Sequence, residues 1–260
     1  MRMRTEPLQR HRLSPGVLLL AASAVSVAAC SRGGPAVPHL RFPKAPIVVV
    51  SVDTLRSDRL PAYGWGMVRT PHLDRLAADS WLFEQAFAPT PMTLPSHTSM
   101  LTGKIPPEHG VRNNSGFTFR GESHPSLPKL LKERGWATGA AVSAWVLRRE
   151  TGIGPLFDDY EDSVPTDPGV ATVRYQRPGA ATLAFAKEWI SARAGKPFFY
   201  FLHIFEPHLP YEPAERFLAE YGPTYEAEVA TADAVVGDLL DHLRALQLHP
   251  QGIQPRNAPG

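Results

Sequence analysis

Two short segments of the sequence carry a hydroxyl, an imidazole and a carboxylate that together could perform nucleophilic chemistry. The segment TPMTLPSHTSMLTG, residues 90–103, holds Thr93, Ser96 and His97 between a proline-rich turn and a short apolar helix. One interpretation is packing, with Thr93 or Ser96 as a helix N-cap. The other is chemistry, because the N-terminus of a helix holds a hydroxyl nucleophile where an anionic substrate is favoured.

The carboxylate stands at the end of the other segment, where Asp53 closes the apolar run PIVVVSVD, residues 46–53. At the open end of a buried strand, a carboxylate is a hard oxygen ligand that suits Ca²⁺, Mg²⁺ or Mn²⁺. The alternative is that Asp53 only caps the following turn.

The elements around these residues predict an α/β fold. Residues 46–53 are apolar on both faces, as in the centre of a parallel sheet covered by helices. Strands that alternate with helices indicate a doubly wound sheet, in which ligands bind beyond the carboxyl ends of the strands. The remaining strand candidates are 81–88, 137–146 and 197–205, and the helix candidates are 70–80 with Thr70 as N-cap, 93–102 with Gly103 as its stop, and 224–246.

Four segments, read in order, resemble one known family. They are IVVVSVDTLRSDRLPAYG, TPHLDRLAADSWLFEQAFA, TLPSHTSMLTGKIPPEHGVRNN and FLHIFEPHLPYEP. Together they look like the N-terminal part of the sulfatase family, within the alkaline phosphatase superfamily, over roughly residues 45–246. The resemblance implies an alkaline-phosphatase-like, mostly parallel sheet flanked by helices. It also implies a metal-dependent hydrolase or transferase that acts on sulfate or phosphate esters, small-molecule, glycan or lipid.

The chain departs from the family pattern at three positions. Thr93 stands where the family has a Cys or Ser that is oxidised to formylglycine, and the methyl group on its β-carbon argues against that aldehyde. Related phosphotransferases use a Thr or Ser hydroxyl directly, so Thr93 favours phosphoesters. His97 replaces an Arg and cannot offer its permanent charge, but it could donate to a phosphoryl oxygen or orient Thr93. Val52 stands where many members have a second Asp.

The resemblance also implies roles for individual residues. Thr93, His97, His208 and Asn114 are the expected catalytic residues. Asp53 and Thr93 are the expected ligands of a divalent cation, Ca²⁺, Mg²⁺, Mn²⁺ or Zn²⁺. His208 matches the family histidine that contacts the substrate or protonates the leaving group. Asn114 matches an asparagine that contacts the ester oxygens.

Other polar residues of these segments have structural explanations. We interpret His203, inside a predicted strand, as a hydrogen-bonded core histidine and Asn113 as part of a turn. For His109, a structural and a functional role are equally open.

The family's remaining metal ligands, an Asp-His or Asp-Asn pair on a later strand, have no counterpart in the sequence. Residues 247–260 contain almost no apolar residues and predict a disordered tail or a truncation. The alternative function is therefore an inactive, truncated sulfatase-like lipoprotein. A solute-binding lipoprotein is a third possibility, although it gives no reason for the TLPSH and FEPHLPY segments.

The N-terminus predicts export. Residues 1–29 combine a basic stretch with an apolar run ending in VAAC, which looks like a bacterial lipobox with Cys30 as the lipidated residue. Residues 30–44 then form a flexible tether. The alternative is ordinary signal cleavage with an unused Cys30. We expect an exported bacterial lipoprotein, anchored in a membrane and facing the periplasm or the cell exterior.

The charge of the chain gives no reason to expect a nucleic-acid partner. Residues 1–29 hold four arginines and one glutamate, so the rest of the chain carries a formal charge of −1 instead of +2. A basic face that would bind nucleic acid is therefore not expected.

Overall fold

The computed structural model describes residues 44–166, 169 and 175–248. The predicted signal peptide 1–29, Cys30, the tether up to residue 43 and the tail from residue 249 lie outside these ranges. Within them, the helices are too short or too polar to cross a membrane.

The centre of the fold is a parallel sheet of four strands in the order β1-β4-β2-β3. All seven residues of β4 are buried, because its run of aromatic and aliphatic side chains is apolar on both faces. The predicted α/β class with a parallel sheet flanked by helices is thus confirmed. The strands are β1 (Ile47–Val52), β2 (Ala137–Val142), β3 (Asp159–Glu161) and β4 (Phe198–Ile204).

Seven α-helices in the described residues surround this sheet. The helix that opens at Thr93 ends at Gly103, whose φ of 68° allows the left-handed turn that stops it. The predicted helices at 70–80, 93–102 and 224–246 are present. The helices are α1 (Pro71–Ala78), α2 (Thr93–Thr102), α3 (Pro106–His109), α4 (Leu127–Lys132), α5 (Gly179–Ser191), α6 (Glu215–Tyr221) and α7 (Tyr225–Ala245).

The two faces of β4 bury different layers. Phe199 and Phe201 pack with Leu94 and Leu101 of α2 on one face. The even-numbered residues of β4 pack against α5 and α7 on the other face. This alternation places His203 on the same face as Phe201, beside α2.

One strand prediction is wrong in its position in the sheet, and another is wrong altogether. Residues 46–53 were expected at the centre of the sheet, but β1 pairs only with β4 among the described strands, and its residues are half-buried. Residues 81–88 form no strand. Trp81, Phe83 and Phe87 are 69%, 69% and 88% exposed, and no described strand pairs with this run.

Candidate active site

The first turn of α2 fixes the position of Thr93. The helix begins at Thr93, and Met92 is the N-cap residue without a side-chain cap. The interpretation of Thr93 or Ser96 as N-cap is therefore wrong. The Leu94 N–H instead donates to Asn114 Oδ1 at 2.9 Å. Asn114 thus closes the helix start from a separate loop, which satisfies a donor that would otherwise lack a partner.

Thr93 and Asp53 lie in direct contact. Thr93 Oγ1 donates a hydrogen bond to Asp53 Oδ2 at 3.2 Å. The Asp53 N–H donates to the Ile204 carbonyl at 2.9 Å, which extends the β1–β4 ladder by one residue. The carboxylate is therefore held at the carboxyl end of the sheet, where the nucleophile hypothesis requires it.

Asp53 is buried but remains a carboxylate at neutral pH. Burial alone would raise its pKa, but the neighbouring imidazoles, His203 foremost and then His97 and His208, together hold the pKa of Asp53 below its usual value. The Asp53 carboxylate can therefore accept the hydrogen bond from the Thr93 hydroxyl and can also bind a cation.

His97 is buried and has both ring nitrogens engaged. Nδ1 lies 2.6 Å from the Thr93 carbonyl and Nε2 lies 2.8 Å from Ser51 Oγ. Burial, with a smaller contribution from His203, lowers the pKa of His97 to about 4, so the ring is neutral at pH 7. Of the two roles expected for His97, donation to a phosphoryl oxygen has no free ring nitrogen here, whereas orientation of Thr93 agrees with the contact to the Thr93 carbonyl. His97 instead holds the backbone of Thr93.

His203 is a core histidine, as expected, but its hydrogen bonding is incomplete. It is 0% exposed, and neither ring nitrogen has a partner within hydrogen-bond distance. Its Nε2 lies 3.6 Å from Asp53 Oδ2. A polar residue one position before the carboxyl end of an otherwise apolar parallel strand was the signal available in the sequence.

His208 lies at the edge of the site. Its Nδ1 is 2.5 Å from the Leu209 carbonyl and its ring packs on Phe205, with centroids 4.4 Å apart. As Nδ1–H donates to that carbonyl, Nε2 remains for another partner. His208 lines a cavity of about 450 Å³ that reaches the residue after Asp53 and is lined by Thr54, Arg56, Arg59, Pro207, His208, Leu209, Tyr211, Tyr225 and Glu226.

The remaining polar candidates have structural roles. Asn113 Oδ1 accepts from the Ser115 N–H at 3.3 Å, which agrees with the predicted turn. His109 is buried, accepts from the Val111 N–H at 3.1 Å and contacts Ser99 Oγ at 2.9 Å. The open question about His109 is therefore answered in favour of structure.

A divalent cation would find only part of a binding site here. Across the described ranges, no group of three or more His, Cys, Asp or Glu side chains is placed to hold a metal ion. Asp53 and Thr93 supply two oxygen donors side by side, and His203 lies next to Asp53. The chemistry of these donors suits a cation, although they make up an incomplete ligand set on their own.

The chain is similar to several known proteins. The family model described as Sulfatase matches residues 46–253. The N-acetylglucosamine-6-O-sulfatase of Bacteroides thetaiotaomicron is 29% identical over 234 residues, which are 84% of this chain and 39% of that protein. The chain therefore spans about two fifths of the length of this relative.

Two solved structures show the same fold. A protein bound to its substrate D-glucosamine-2-N,6-O-disulfate is 25% identical with a TM-score of 0.58, over 69% of this chain and 38% of that one. The phosphonate monoester hydrolase of Agrobacterium radiobacter is 16% identical with a TM-score of 0.64, over 78% of this chain and 60% of that one.

Proposed function

The chain belongs to the sulfatase family, and from that premise we propose that it acts on sulfate or phosphate esters with Thr93 as the nucleophile. The observation that carries the proposal is the 3.2 Å hydrogen bond between Thr93 Oγ1 and Asp53 Oδ2 at the start of α2. A hydroxyl held by a carboxylate at a helix N-terminus lies where the helix dipole favours an anionic ester.

The proposed reaction has two displacements. In the first, Thr93 Oγ bonds to phosphorus or sulfur while its proton moves towards Asp53 Oδ2. The bond to the ester oxygen breaks, and His208 in its imidazolium form donates the Nε2 proton to that leaving oxygen, while its Nδ1–H remains on the Leu209 carbonyl. In the second, water, or an acceptor alcohol in a transferase, attacks the same phosphorus or sulfur atom and gives its proton to His208 Nε2, while the bond to Thr93 Oγ breaks and the proton on Asp53 returns to that oxygen. The Leu94 N–H is already bonded to Asn114 and Pro95 has none, so the helix contributes its dipole rather than free donors.

A divalent cation is part of the proposal, through the family resemblance. Ca²⁺, Mg²⁺, Mn²⁺ and Zn²⁺ are the candidates, with Asp53 and Thr93 as protein ligands. When bound, such an ion supplies positive charge that lowers the pKa of the hydroxyl and polarises the ester.

The substrate class follows from the relatives and from Thr93. One relative is named for a sulfated amino sugar, which supports a sulfated glycan. Direct attack by an unmodified hydroxyl favours a phosphoester, and one structural neighbour is a phosphonate monoester hydrolase. Aryl sulfates and aryl phosphates are therefore the first substrates to compare.

Substitution of Thr93 tests the nucleophile. In the intact protein, we expect Thr93→Ala to lower kcat for aryl phosphate or aryl sulfate by at least about 10³-fold, because the attacking oxygen is removed. Thr93→Ser keeps the hydroxyl and should retain measurable turnover. Steady-state kinetics on both variants provides the comparison, and equal rates for Thr93→Ala and wild type would exclude Thr93.

The second candidate function is an inactive, truncated sulfatase-like lipoprotein. It is favoured by the lack of a metal-binding group of three acidic, histidine or cysteine side chains in residues 44–166, 169 and 175–248. Metal titration of the purified protein separates the two candidates. Divalent-ion binding in the micromolar range with a raised Tm would argue against the inactive form.

We also propose that Cys30 carries a lipid that anchors the exported protein to a membrane, with the site facing the periplasm or the cell exterior. The proposal is supported by the lipobox-like VAAC sequence alone. In bacterial cells, an azido-palmitate label should appear on the wild type and be missing from Cys30→Ser. Equal labelling of both would reject the anchor.

A further inference from the structure

We propose that the cavity beside His208 receives the alcohol part of the ester, and that Arg56 selects alcohols that carry a second negative charge. The ligand class is an ester of a sugar or an aryl alcohol with a carboxylate or a further ester anion on its ring. The proposal deepens the proposed function and rests on its assignment of Thr93 and His208 to one reaction.

The position of the cavity fits the leaving group. The cavity of about 450 Å³ begins at Thr54, the residue directly after Asp53, and includes His208. In the proposed reaction His208 donates its proton to the leaving oxygen, so the alcohol that carries this oxygen lies on the His208 side of the site. A volume of this size is typical of pockets that bind small organic ligands.

The wall that follows Asp53 is held in an unusual backbone conformation. Thr54 has a φ of 55°, in the left-handed region that a β-branched residue rarely adopts. The Tyr225 hydroxyl donates to the Thr54 carbonyl at 2.8 Å and accepts from the Arg56 N–H at 2.9 Å. Strained residues persist where their surroundings fix them, and they cluster at ligand sites. The two bonds to Tyr225, the first residue of α7, therefore hold Arg56 in place at the cavity.

The charges that line the cavity are unequal. Arg59 pairs with Glu226 at 3.2 Å, and both residues belong to the lining, so these two charges offset each other. Arg56 pairs with Asp58 at 2.6 Å, but Asp58 is not part of the lining. Without counting His208, the lining therefore carries one excess positive charge, on Arg56.

The ion pair of Arg56 can be exchanged for a pair with a ligand. The side chains of Arg56 and Asp58 are both exposed, and exposed ion pairs contribute little to stability. A guanidinium group binds a carboxylate or a phosphate through two parallel hydrogen bonds. An anionic group on the alcohol can therefore take the place of Asp58 without disturbing the fold.

The rest of the cavity offers aromatic and apolar surface. The rings of Tyr211 and Tyr225 meet edge to face with centroids 6.1 Å apart, and the exposed Leu209 side chain lines the same cavity. Such surfaces contact the ring of a sugar or of an aryl alcohol, while a few polar groups fix its orientation. Together with Arg56, they favour a cyclic alcohol with an anionic substituent.

The experiment compares two esters that differ in one substituent. The carboxyl group of 3-carboxyphenyl phosphate is anionic at neutral pH, whereas the amide of 3-carbamoylphenyl phosphate is neutral, and the corresponding sulfates form a second pair. The test variant is Arg56→Gln, which keeps the backbone N–H that Tyr225 accepts. The matched control is Arg69→Gln, because Arg69 is also an exposed arginine in a surface ion pair but does not line this cavity.

Binding and turnover are measured separately in the intact protein. Calorimetry in the Thr93→Ala background gives the Kd of each ester, and steady-state kinetics with Thr93 present gives kcat/KM. We expect Arg56→Gln to weaken binding of the carboxylate ester by about tenfold relative to the carboxamide ester, because a charge-assisted pair is lost. The same ratio should fall in kcat/KM, mainly through KM. Arg69→Gln should keep the ratio of the protein with both arginines.

Three results would overturn the proposal: an unchanged ratio in Arg56→Gln, an equal loss for both esters, or no binding of either ester. The two proposals fail in different ways. A preference for the carboxylate ester that depends on Arg56, without turnover of either ester, would reject the proposed function and keep the cavity as a ligand site. Turnover that depends on Thr93, with the same ratio in Arg56→Gln as in the wild type, would do the reverse.

Discussion

The carboxyl ends of two strand pairs in the same sheet carry buried polar clusters of opposite character. Beyond β2 and β3, the Arg177 guanidinium donates to Glu161 at 2.8 Å, to Thr182 at 3.0 Å and to the Val142 carbonyl at 3.0 Å. Beyond β1 and β4, Asp53 and His203 stand close together, yet both His203 nitrogens lack a hydrogen-bond partner.

The difference in hydrogen bonding indicates which cluster stabilises the fold and which could bind a ligand. A fully bonded cluster has no capacity left for a ligand, so it stabilises one conformation. An incomplete cluster costs stability and persists where a ligand completes it. We therefore expect the cluster at β2 and β3 to stabilise the fold, whereas the cluster at β1 and β4 is the site of the proposed reaction.

The largest effect on stability is expected at the bonded cluster. Arg177→Ala should lower the free energy of unfolding by about 3 kcal/mol, because it breaks a buried ion pair and strips partners from Thr182 and Val142. Urea denaturation measures the change. Metal affinity should stay the same.

A surface pair provides the control for Arg177. In the Arg69–Glu220 ion pair, the Arg69 side chain is 80% exposed, so Arg69→Ala should cost less than about 1 kcal/mol. If Arg69→Ala and Arg177→Ala lowered the free energy of unfolding by similar amounts, the buried cluster would have no special part in stability. A loss of metal binding in Arg177→Ala would also contradict the assignment of this cluster to the fold.

A smaller effect is expected at Glu228 on α7, which is a buried carboxylate. Its Oε2 has no partner, while the other oxygen accepts from the Glu212 N–H. Burial, with Glu206 and Glu212 adding to it, raises the pKa of Glu228 from 4.5 to about 7. The folded state therefore holds this proton more tightly than the unfolded state does.

The sign of the pH dependence follows. Stability due to Glu228 is fully present below pH 4.5 and is lost as the pH rises through about 7. Glu228→Gln should remove this loss and stabilise the protein at pH 8 by about 1 kcal/mol, with little change at pH 4.5. Thermal melts across this range measure it. If Glu228→Gln changed the stability equally at pH 4.5 and pH 8, or abolished ester turnover, the unpartnered oxygen would have another role.

The sequence predicts the parts of the site that depend on local patterns. The apolar run before Asp53, the helix that starts near Thr93 and the aromatic strand β4 are recognisable without tertiary information, because periodicity and turn residues are local. The helix α5 (Gly179–Ser191) was not predicted, since its small residues and its glycine give a weak pattern.

Contacts between distant segments could not be predicted. Asn114 caps the start of α2 from 20 residues away in the sequence, and His97 is engaged by Ser51 from another element. That neither ring nitrogen of His203 has a hydrogen-bond partner depends on the tertiary arrangement of the neighbouring segments, which local sequence patterns do not show. Residues 81–88 were wrongly predicted as a strand from their apolar sequence, because an apolar run forms a strand only where a neighbouring strand pairs with it.

The most direct test of the account locates the covalent intermediate. The intact protein is mixed with an aryl phosphate or aryl sulfate, quenched in acid during turnover, digested and analysed by mass spectrometry. The account predicts a phosphoryl or sulfuryl group on Thr93 in the peptide that contains TLPSH, and none in Thr93→Ala. Turnover with the group on another residue, or with no adduct while Thr93→Ala stays active, would contradict it.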